Sequence, residues 1–534
     1  MNIINQKIWS IFTSFIAIMF AVPILLIFSS LFFGFNDNFA HIYDVVLLEY
    51  SINSLLLVSG VSILVLLIGV VTALLVTLFN FTGRRIFEWA LILPLAIPPY
   101  LLAYVMTELF EYSGSVNTFL RSLNLISDES AVPTIRSLTG AIIIFAFALY
   151  PYVYLITRVA LMSISKPILD SARVLGTSKY KSFIRIILPL IRPAIFASLA
   201  LVCMETLSDF GAVQHFAIPT FTTGIFRTWL GMYDLNTAMQ LASILLLVIF
   251  IFLFLERNQR ANAQYSLVND SKEVLELEVL VGVKNVFASL FCLIPVLVGF
   301  VIPLIEIISW SVEIENIFSS KFINASFNTI LLAIVAGIIT TIIAIFFNFN
   351  LRIYNSKFMN VVNNFISLGY GIPGLVIAIG ITQFLTYFDL IFFDTGIIVT
   401  GSLFGLIFAY VIKSYALTNN VLENNYKQFS TSLDDSARTL GSSKYDLLKN
   451  IHIPLLKTGI FASVLLVISE VVKELPATLI LRPFNFDTLA VTVYTFASEE
   501  RIYEAAFPSL LIILVGLIPI YFISNMIRTT RKLN

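Results

Sequence analysis

Runs of about twenty apolar residues recur along this 534-residue chain. They sit at roughly 9–33, 52–80, 86–107, 138–160, 192–210, 237–255, 284–310, 326–348, 360–387, 398–416, 458–475 and 506–527. A helix needs about 20 such residues to cross the hydrocarbon of a bilayer. The pattern therefore predicts an all-α integral membrane protein of about twelve transmembrane helices, in two groups of six. Composition agrees: 58% of residues are hydrophobic, 12% are charged and Phe occurs 48 times, whereas a soluble domain is about 25% charged. The first run follows Lys7, is longer than a signal-peptide core and lacks a clear small-residue cleavage site after it. It reads as a retained span.

Lys and Arg set the orientation. With the N-terminus inside, most of the 32 basic residues fall on the cytoplasmic side, the bias that fixes topology. Both termini are then expected in the cytoplasm. The acidic loops "FNDNFAHIYD" and "YTFASEERIYEAA" are expected outside.

The chain is duplicated. "LDSARVLGTSKYKSFIRIILPLIRPAIFAS", from Leu169, answers "LDDSARTLGSSKYDLLKNIHIPLLKTGIFAS", from Leu433, and from Asp170 and Asp435 onward the offset is a constant 265. Earlier, Asn53 answers Asn328 and Pro98 answers Pro373, at an offset of 275. Six spans return the chain to its starting side, so the copies are parallel repeats about an axis along the membrane normal. The halves divide as 1–255, with a loop at 163–192, and 284–534, with a loop at 428–457. A polar linker, 256–283, joins them.

Each loop reads as a short helix, a Gly break and a second helix. Glycine permits a backbone turn that other residues resist, and Pro189 and Pro454 mark the start of the next span. A long, amphipathic loop repeated in sequence suits docking of another protein. The alternative is a helix lying on lipid headgroups.

These loops resemble the cytoplasmic loop of binding-protein-dependent ABC importer permeases, whose pattern is E-A-A, three residues, Gly, nine residues, I-x-L-P. Here the matching residues are Asp170, Ser171, Ala172, Gly176 and Pro189, then Asp435, Ser436, Ala437, Gly441 and Pro454. Asp replaces Glu and Ser replaces the first Ala in both copies. The resemblance implies a type I importer fold and a coupling helix in each half. Each helix would seat in a groove of a cytoplasmic ABC ATPase dimer, which uses ATP and Mg. The chain has no G-x-x-x-x-G-K-[ST] loop for nucleotide phosphates, so it is expected to bind no cofactor and to be a transport subunit rather than the ATPase. An ion-coupled secondary transporter would have no use for two docking loops.

Glu205 and Asp209 are four residues apart, as are Glu470 and Glu474, and the offset of 265 relates the pairs. Residues so spaced share a helix face, and carboxylates within spans usually line a pathway or meet a partner. Four converging carboxylates would suit a hard cation and repel an anion such as sulfate, with Glu205 and Glu470 as transient metal ligands. Three alternatives stand beside this: Asp209 and Glu474 at helix ends, an ion pair between Lys473 and Glu474, or carboxylates that clasp a basic rim of the carrier. Tyr100, Tyr104 and Tyr112 offer phenolic oxygens or anchor at the interface. Arg227 and Arg482 would either meet an acidic rim of a carrier or cap a helix, with Asp234 and Asp487 as possible complements.

The stretches from Met204 and Lys473, together with the fusion of two halves, resemble the ferric-iron-type permeases of this superfamily. That implies a bacterial inner-membrane subunit that receives ferric iron from a periplasmic binding protein. Thiamine, polyamine and phosphonate permeases share parts of these stretches. Cys203 and Cys292 lie in apolar runs, as small core residues do, and the three His are scattered. Neither a disulfide framework nor a histidine metal cluster is expected, and zero net charge gives no sign of a nucleic-acid partner.

Overall fold

The computed structural model describes residues 2–127, 132, 134–164, 178–261, 277–312, 314, 319–354, 356–392 and 398–533. The linker between 262 and 276 and the first loop between 165 and 177 lie outside them. Apart from one two-residue parallel bridge, Phe79–Asn80 with Glu278–Val279, the regular structure described is helical.

Among the described residues ten helices are long and apolar enough to cross a membrane, or eleven if one bent pair counts as a single span. The expected count of about twelve is not reached among the described residues. The third expected span is that bent pair, Arg84–Ala96 and Pro99–Ser122, broken by 93°. Pro98 and Pro99 stand at the break, where residue 98 is held out of the helical region by the proline after it. The tenth forms the helix Leu403–Lys427. Its sequence places Lys413, Asn419, Asn420 and Glu423 among the apolar residues, so it does not read as a uniformly apolar span.

The fifth and eleventh spans begin earlier than expected, at Phe183 and Lys444. Pro189 and Pro454 sit in the first turns of Leu188–Ser208 and Ile453–Val472. Neither proline starts its helix anew, because a π-turn precedes each, at Phe183–Ile187 and Leu447–His452. A proline lacks the N–H that an upstream carbonyl would accept, and a wider turn takes up that mismatch.

The chain forms two compact units. One comprises Met1–Asn36, Thr228–Ser243 and Phe318–Thr492; the other comprises Asp37–Arg227, Ile244–Ile317 and Val493–Asn534. These are not the sequential halves. In the first unit the helices Ser320–Tyr354, Leu403–Lys427 and Ile453–Val472 pack on one another. The N-terminal helix Asn2–Ser29 lies on Gly374–Ile391 of that unit. Gly380 allows this close approach, since a Cβ there would lie 2.6 Å from the Pro23 carbonyl oxygen. Small residues let helices approach in lipid, where packing replaces the hydrophobic drive.

The second unit is built on Leu47–Leu78 against Leu138–Met162, with Leu188–Ser208 beside both. Gly69 faces Val153 there, and an added Cβ would come 2.6 Å from the valine Cβ. The first helix of the second repeat, Val283–Val296, packs on Leu47–Leu78 and Arg84–Ala90. Thus the leading helix of each repeat belongs to the compact unit that holds the core of the other.

Polar ties repeat within the units. Asn53 Nδ2 donates to the Pro219 carbonyl at 3.0 Å, and Ser54 Oγ accepts the Phe221 N–H at 3.3 Å. In the other unit Asn328 Nδ2 donates to the Asp487 carbonyl at 3.0 Å, and Thr329 Oγ1 accepts the Leu489 N–H at 2.8 Å. Each pair fixes the irregular segment that follows the carboxylate-bearing helix. Backbone groups away from water need such partners.

Candidate functional sites: a coupling element and two carboxylate pairs

The second repeated loop is fully described. Ser432–Thr439 is a helix, and Leu440 and Gly441 end it. Gly441 has φ +85°, its N–H bonds the Arg438 carbonyl at 3.0 Å, and the Ser442 N–H bonds the Ala437 carbonyl at 3.0 Å. This is a Schellman ending, in which glycine takes the left-handed position. Ser443 then opens the next helix with a capping box to Asp446, which satisfies two N–H groups left over at a helix start.

The helix has two distinct faces. Ala437 is buried with Phe349, Tyr426, Leu447 and Leu456. Asp435, Ser436 and Arg438 are exposed, and Leu440 is 86% exposed.

Asp434 anchors the buried face. Its Oδ2 accepts from Arg352 Nε at 2.6 Å and its Oδ1 pairs with His452 Nε2 at 2.9 Å. Burial opposes ionisation of Asp434, but the Arg352 and His452 hydrogen bonds prevail and hold its carboxyl below the ordinary value. Arg352 also donates to the Tyr426 carbonyl at 2.8 Å and the Ser430 carbonyl at 3.0 Å, so it closes the end of the Leu403–Lys427 helix as well. The sequence reading missed Arg352, Asp434 and His452. Asp434 stands one place before the motif residue Asp435, and a bare pattern match passes over it.

In the first loop, Asp170, Ser171, Ala172 and Gly176 lie outside the described residues; Pro189 is described above.

The carboxylate pairs are not equivalent to four free ligands. Asp209 ends its helix with extended backbone, and its Oδ1 accepts the N–H groups of Ala212 at 2.9 Å and Val213 at 3.3 Å. Glu474 Oε1 accepts the Ala477 N–H at 3.3 Å. Both residues therefore cap the short helix that follows, a placement at helix ends that the sequence left open. Glu474 is 7% exposed and forms an ion pair with Lys413. Lys413 is a fourth residue the sequence reading missed, although a lysine inside "AYVIKSYAL" is the kind of intramembrane charge that signals a partner.

Lys473 pairs with Glu470 at 2.8 Å, one turn back on its helix. This corrects the pairing of Lys473 with Glu474 weighed above. Glu470, Glu474 and Lys413 line a small pocket with Tyr370, Tyr410 and Leu417. Glu205 is half-buried on Leu188–Ser208.

Arg227 is exposed, whereas Arg482 is half-buried and paired with Asp487. Asp234 caps its own helix through the Thr237 N–H at 3.0 Å. Tyr100 and Tyr104 are buried in the core of their unit, while Tyr112 is exposed under the Arg121 guanidinium. Cys203 and Cys292 are buried free thiols, as their setting suggested. Among the described residues no group of three or more His, Cys, Asp or Glu is placed to hold a metal ion.

The family model for binding-protein-dependent transport system inner membrane components matches the chain twice, at residues 65–257 and 342–530. A relative from Haemophilus influenzae, "Fe(3+)-transport system permease protein FbpB 2", is 24% identical over 486 residues, 89% of each chain. A second from the same organism, "Putative ferric transport system permease protein FbpB 1", is 23% identical and covers 91% of this chain and 77% of its own. The "Sulfate transport system permease protein CysT" of Salmonella typhimurium is 26% identical over 191 residues, 35% of this chain and 66% of its own. Two family matches, ten or eleven apolar helices and the repeated loop lead to one conclusion: the chain belongs to the binding-protein-dependent transport system inner membrane components, the multi-pass permease subunits of ABC importers, which carry no ATPase site of their own.

Proposed function

We propose that this chain is the fused permease of a ferric-iron importer, fed by a periplasmic binding protein and driven by a cytoplasmic ABC ATPase dimer. The ATPase subunits dock on the loops at 163–192 and 428–457, and both chain termini lie on that cytoplasmic side. The carrier docks on the opposite side, where Arg227 is the exposed candidate contact and Arg482 supports the surface through Asp487. ATP binding favours one of two states, because a ligand shifts an equilibrium only by its differential affinity.

One observation carries the cargo: the ferric relative and this chain cover 89% of each other. The sulfate relative, by contrast, answers to 35% of this chain. The carboxylates give the chemistry a place. Asp209 and Glu474 are committed to helix caps and, for Glu474, to Lys413. The pathway role therefore rests on Glu205 and Glu470, hard oxygen ligands of the kind that iron accepts. Glu470 would exchange Lys473 for the passing ion.

Iron-55 uptake by cells with Glu205→Gln and Glu470→Gln together tests this. Uptake should fall at least about tenfold, the scale of losing a ligand contact of 1.4 kcal/mol, with the complex assembled normally. Unchanged uptake would remove the pathway role of these residues. Sulfate or thiamine uptake in place of iron would overturn the cargo.

A further inference from the structure

The two repeats differ in sequence at the residues that hold the second loop. Arg352, Asp434 and His452 meet in the second repeat. At the offsets that align the halves, the first repeat has Thr77, Leu169 and Ile187. All three positions change together, from an ionic set to one without charge.

The second-repeat set joins four elements. Arg352 belongs to Ser320–Tyr354, Asp434 to the coupling helix Ser432–Thr439, and His452 to the turn that runs into Ile453–Val472. The guanidinium also holds the carbonyls of Tyr426 and Ser430, at the end of Leu403–Lys427. His452 is 1% exposed, and its ring stands edge-on to Phe349 and Tyr426, with centroids 5.3 and 5.5 Å away. Its Nε2 must donate to the carboxylate, which fixes the tautomer and the ring plane. Asp434 thus has one oxygen directed by each neighbour, and the helix that carries it cannot rotate without breaking a bond.

Among its described residues the first repeat has an ion cluster of its own. Glu88 pairs with Arg84 at 2.8 Å and Arg158 at 3.4 Å, joining Arg84–Ala90 to Leu138–Met162. The aligned residues of the second repeat are Met359, Asn363 and Glu423. There Asn363 accepts the Tyr415 hydroxyl at 2.5 Å instead.

We propose that Arg352 and His452 are positioning residues that clamp the second coupling helix, through Asp434, to the helices Ser320–Tyr354 and Ile453–Val472. A push on that helix then moves both. The inference rests on the docking reading above. Its logic is that directional charge-assisted bonds fix an orientation, while apolar packing fixes only a distance.

The test uses the complex purified with its ATPase and reconstituted in proteoliposomes with the loaded binding protein. Two variants are compared with wild type: Asp434→Asn alone, and Arg352→Thr, Asp434→Leu and His452→Ile together. The triple variant guards against simple unfolding, because a buried ionic set replaced as a whole by apolar residues is often neutral or stabilising. Both variants should retain the ATPase, and the triple variant should melt near the wild-type temperature. Iron-55 moved per ATP hydrolysed should fall about fivefold or more, the scale of an ordinary allosteric coupling, and hydrolysis without carrier should rise. A triple variant that assembles and keeps both wild-type values overturns the clamp. A wild-type complex that fails to retain the ATPase overturns the docking reading instead. One that hydrolyses ATP but moves no iron overturns the cargo, and the carrier-free hydrolysis rates then decide the clamp.

Discussion

Gly374 abuts the Glu474 carboxylate so closely that a Cβ at residue 374 would overlap Oε1. The glycine opens the helix Gly374–Ile391, and the glutamate caps the short helix beginning at Pro476. The aligned residues of the first repeat are Pro99 and Asp209. The longer carboxylate goes with the residue that has no side chain, and the shorter one with a residue that has one.

Gly374→Ala should therefore displace Glu474 and cost about 1–3 kcal/mol, the usual range for overpacking. Adding Glu474→Asp should recover part of that loss by withdrawing the carboxylate one methylene. Thermal unfolding of the purified chain in detergent reads both. A double variant less stable than Gly374→Ala would show that the two residues are not coupled in this way.

Lys413→Met should be more damaging than its size suggests. It leaves Glu474 buried with its ion-pair partner gone, a change that costs about 3–5 kcal/mol. Lys413→Met combined with Glu474→Gln should cost clearly less, since no charge is then stranded. A double-mutant cycle on unfolding temperature measures the difference. Strict additivity would mean that the pair contributes no coupling.

The residues that were legible in the sequence share one property: their signal is local. Span positions follow from apolar runs, and the helix-Gly-helix form of the repeated loop follows from a Gly and a Pro at fixed spacing. The role of Gly441 could be read because a Schellman ending needs only its own neighbours. Lys413, Arg352 and His452 were not legible as partners, because each acts across 61, 82 or 18 residues on a carboxylate elsewhere. A single sequence carries no pairing information at such separations. The exchange of leading helices between the repeats is hidden for the same reason. The number of spans is least legible where polar residues interrupt an apolar run, as in Leu403–Lys427, and where a Pro-Pro pair bends one run by 93°. Asp209 and Glu474 looked like pathway groups because spacing shows a shared helix face but not where the helix ends.

Gly441 separates folding from docking. Its φ of +85° disfavours any L-residue, yet nothing lies within 4 Å of an added Cβ. Gly441→Ala should cost about 1–2 kcal/mol through backbone conformation alone. Gly441→Trp should cost little more than Ala in stability, because the added ring meets open space. The ATPase should nevertheless be retained by the Ala variant and lost by the Trp variant in affinity purification. Equal retention by both would place the docked surface away from this turn.

Acid should release the clamp before it unfolds the spans. Asp434 lies outside the membrane-spanning helices, and its carboxyl is held below the ordinary value by Arg352 and His452 against the effect of burial. A carboxyl with a depressed folded-state pKa contributes stability that is present above its unfolded value of about 4 and is lost as pH falls through the folded value. The part of the clamp that rests on the ionised Asp434 carboxyl should therefore be lost only below the unfolded value of about 4. Amide hydrogen exchange across 432–442, corrected for the intrinsic pH dependence, reads this directly. Protection should drop in that acid range in the wild type. Arg352→Thr with Asp434→Leu and His452→Ile should show no such step, because no carboxyl remains to protonate. A step of equal size in both would assign the acid transition to other groups.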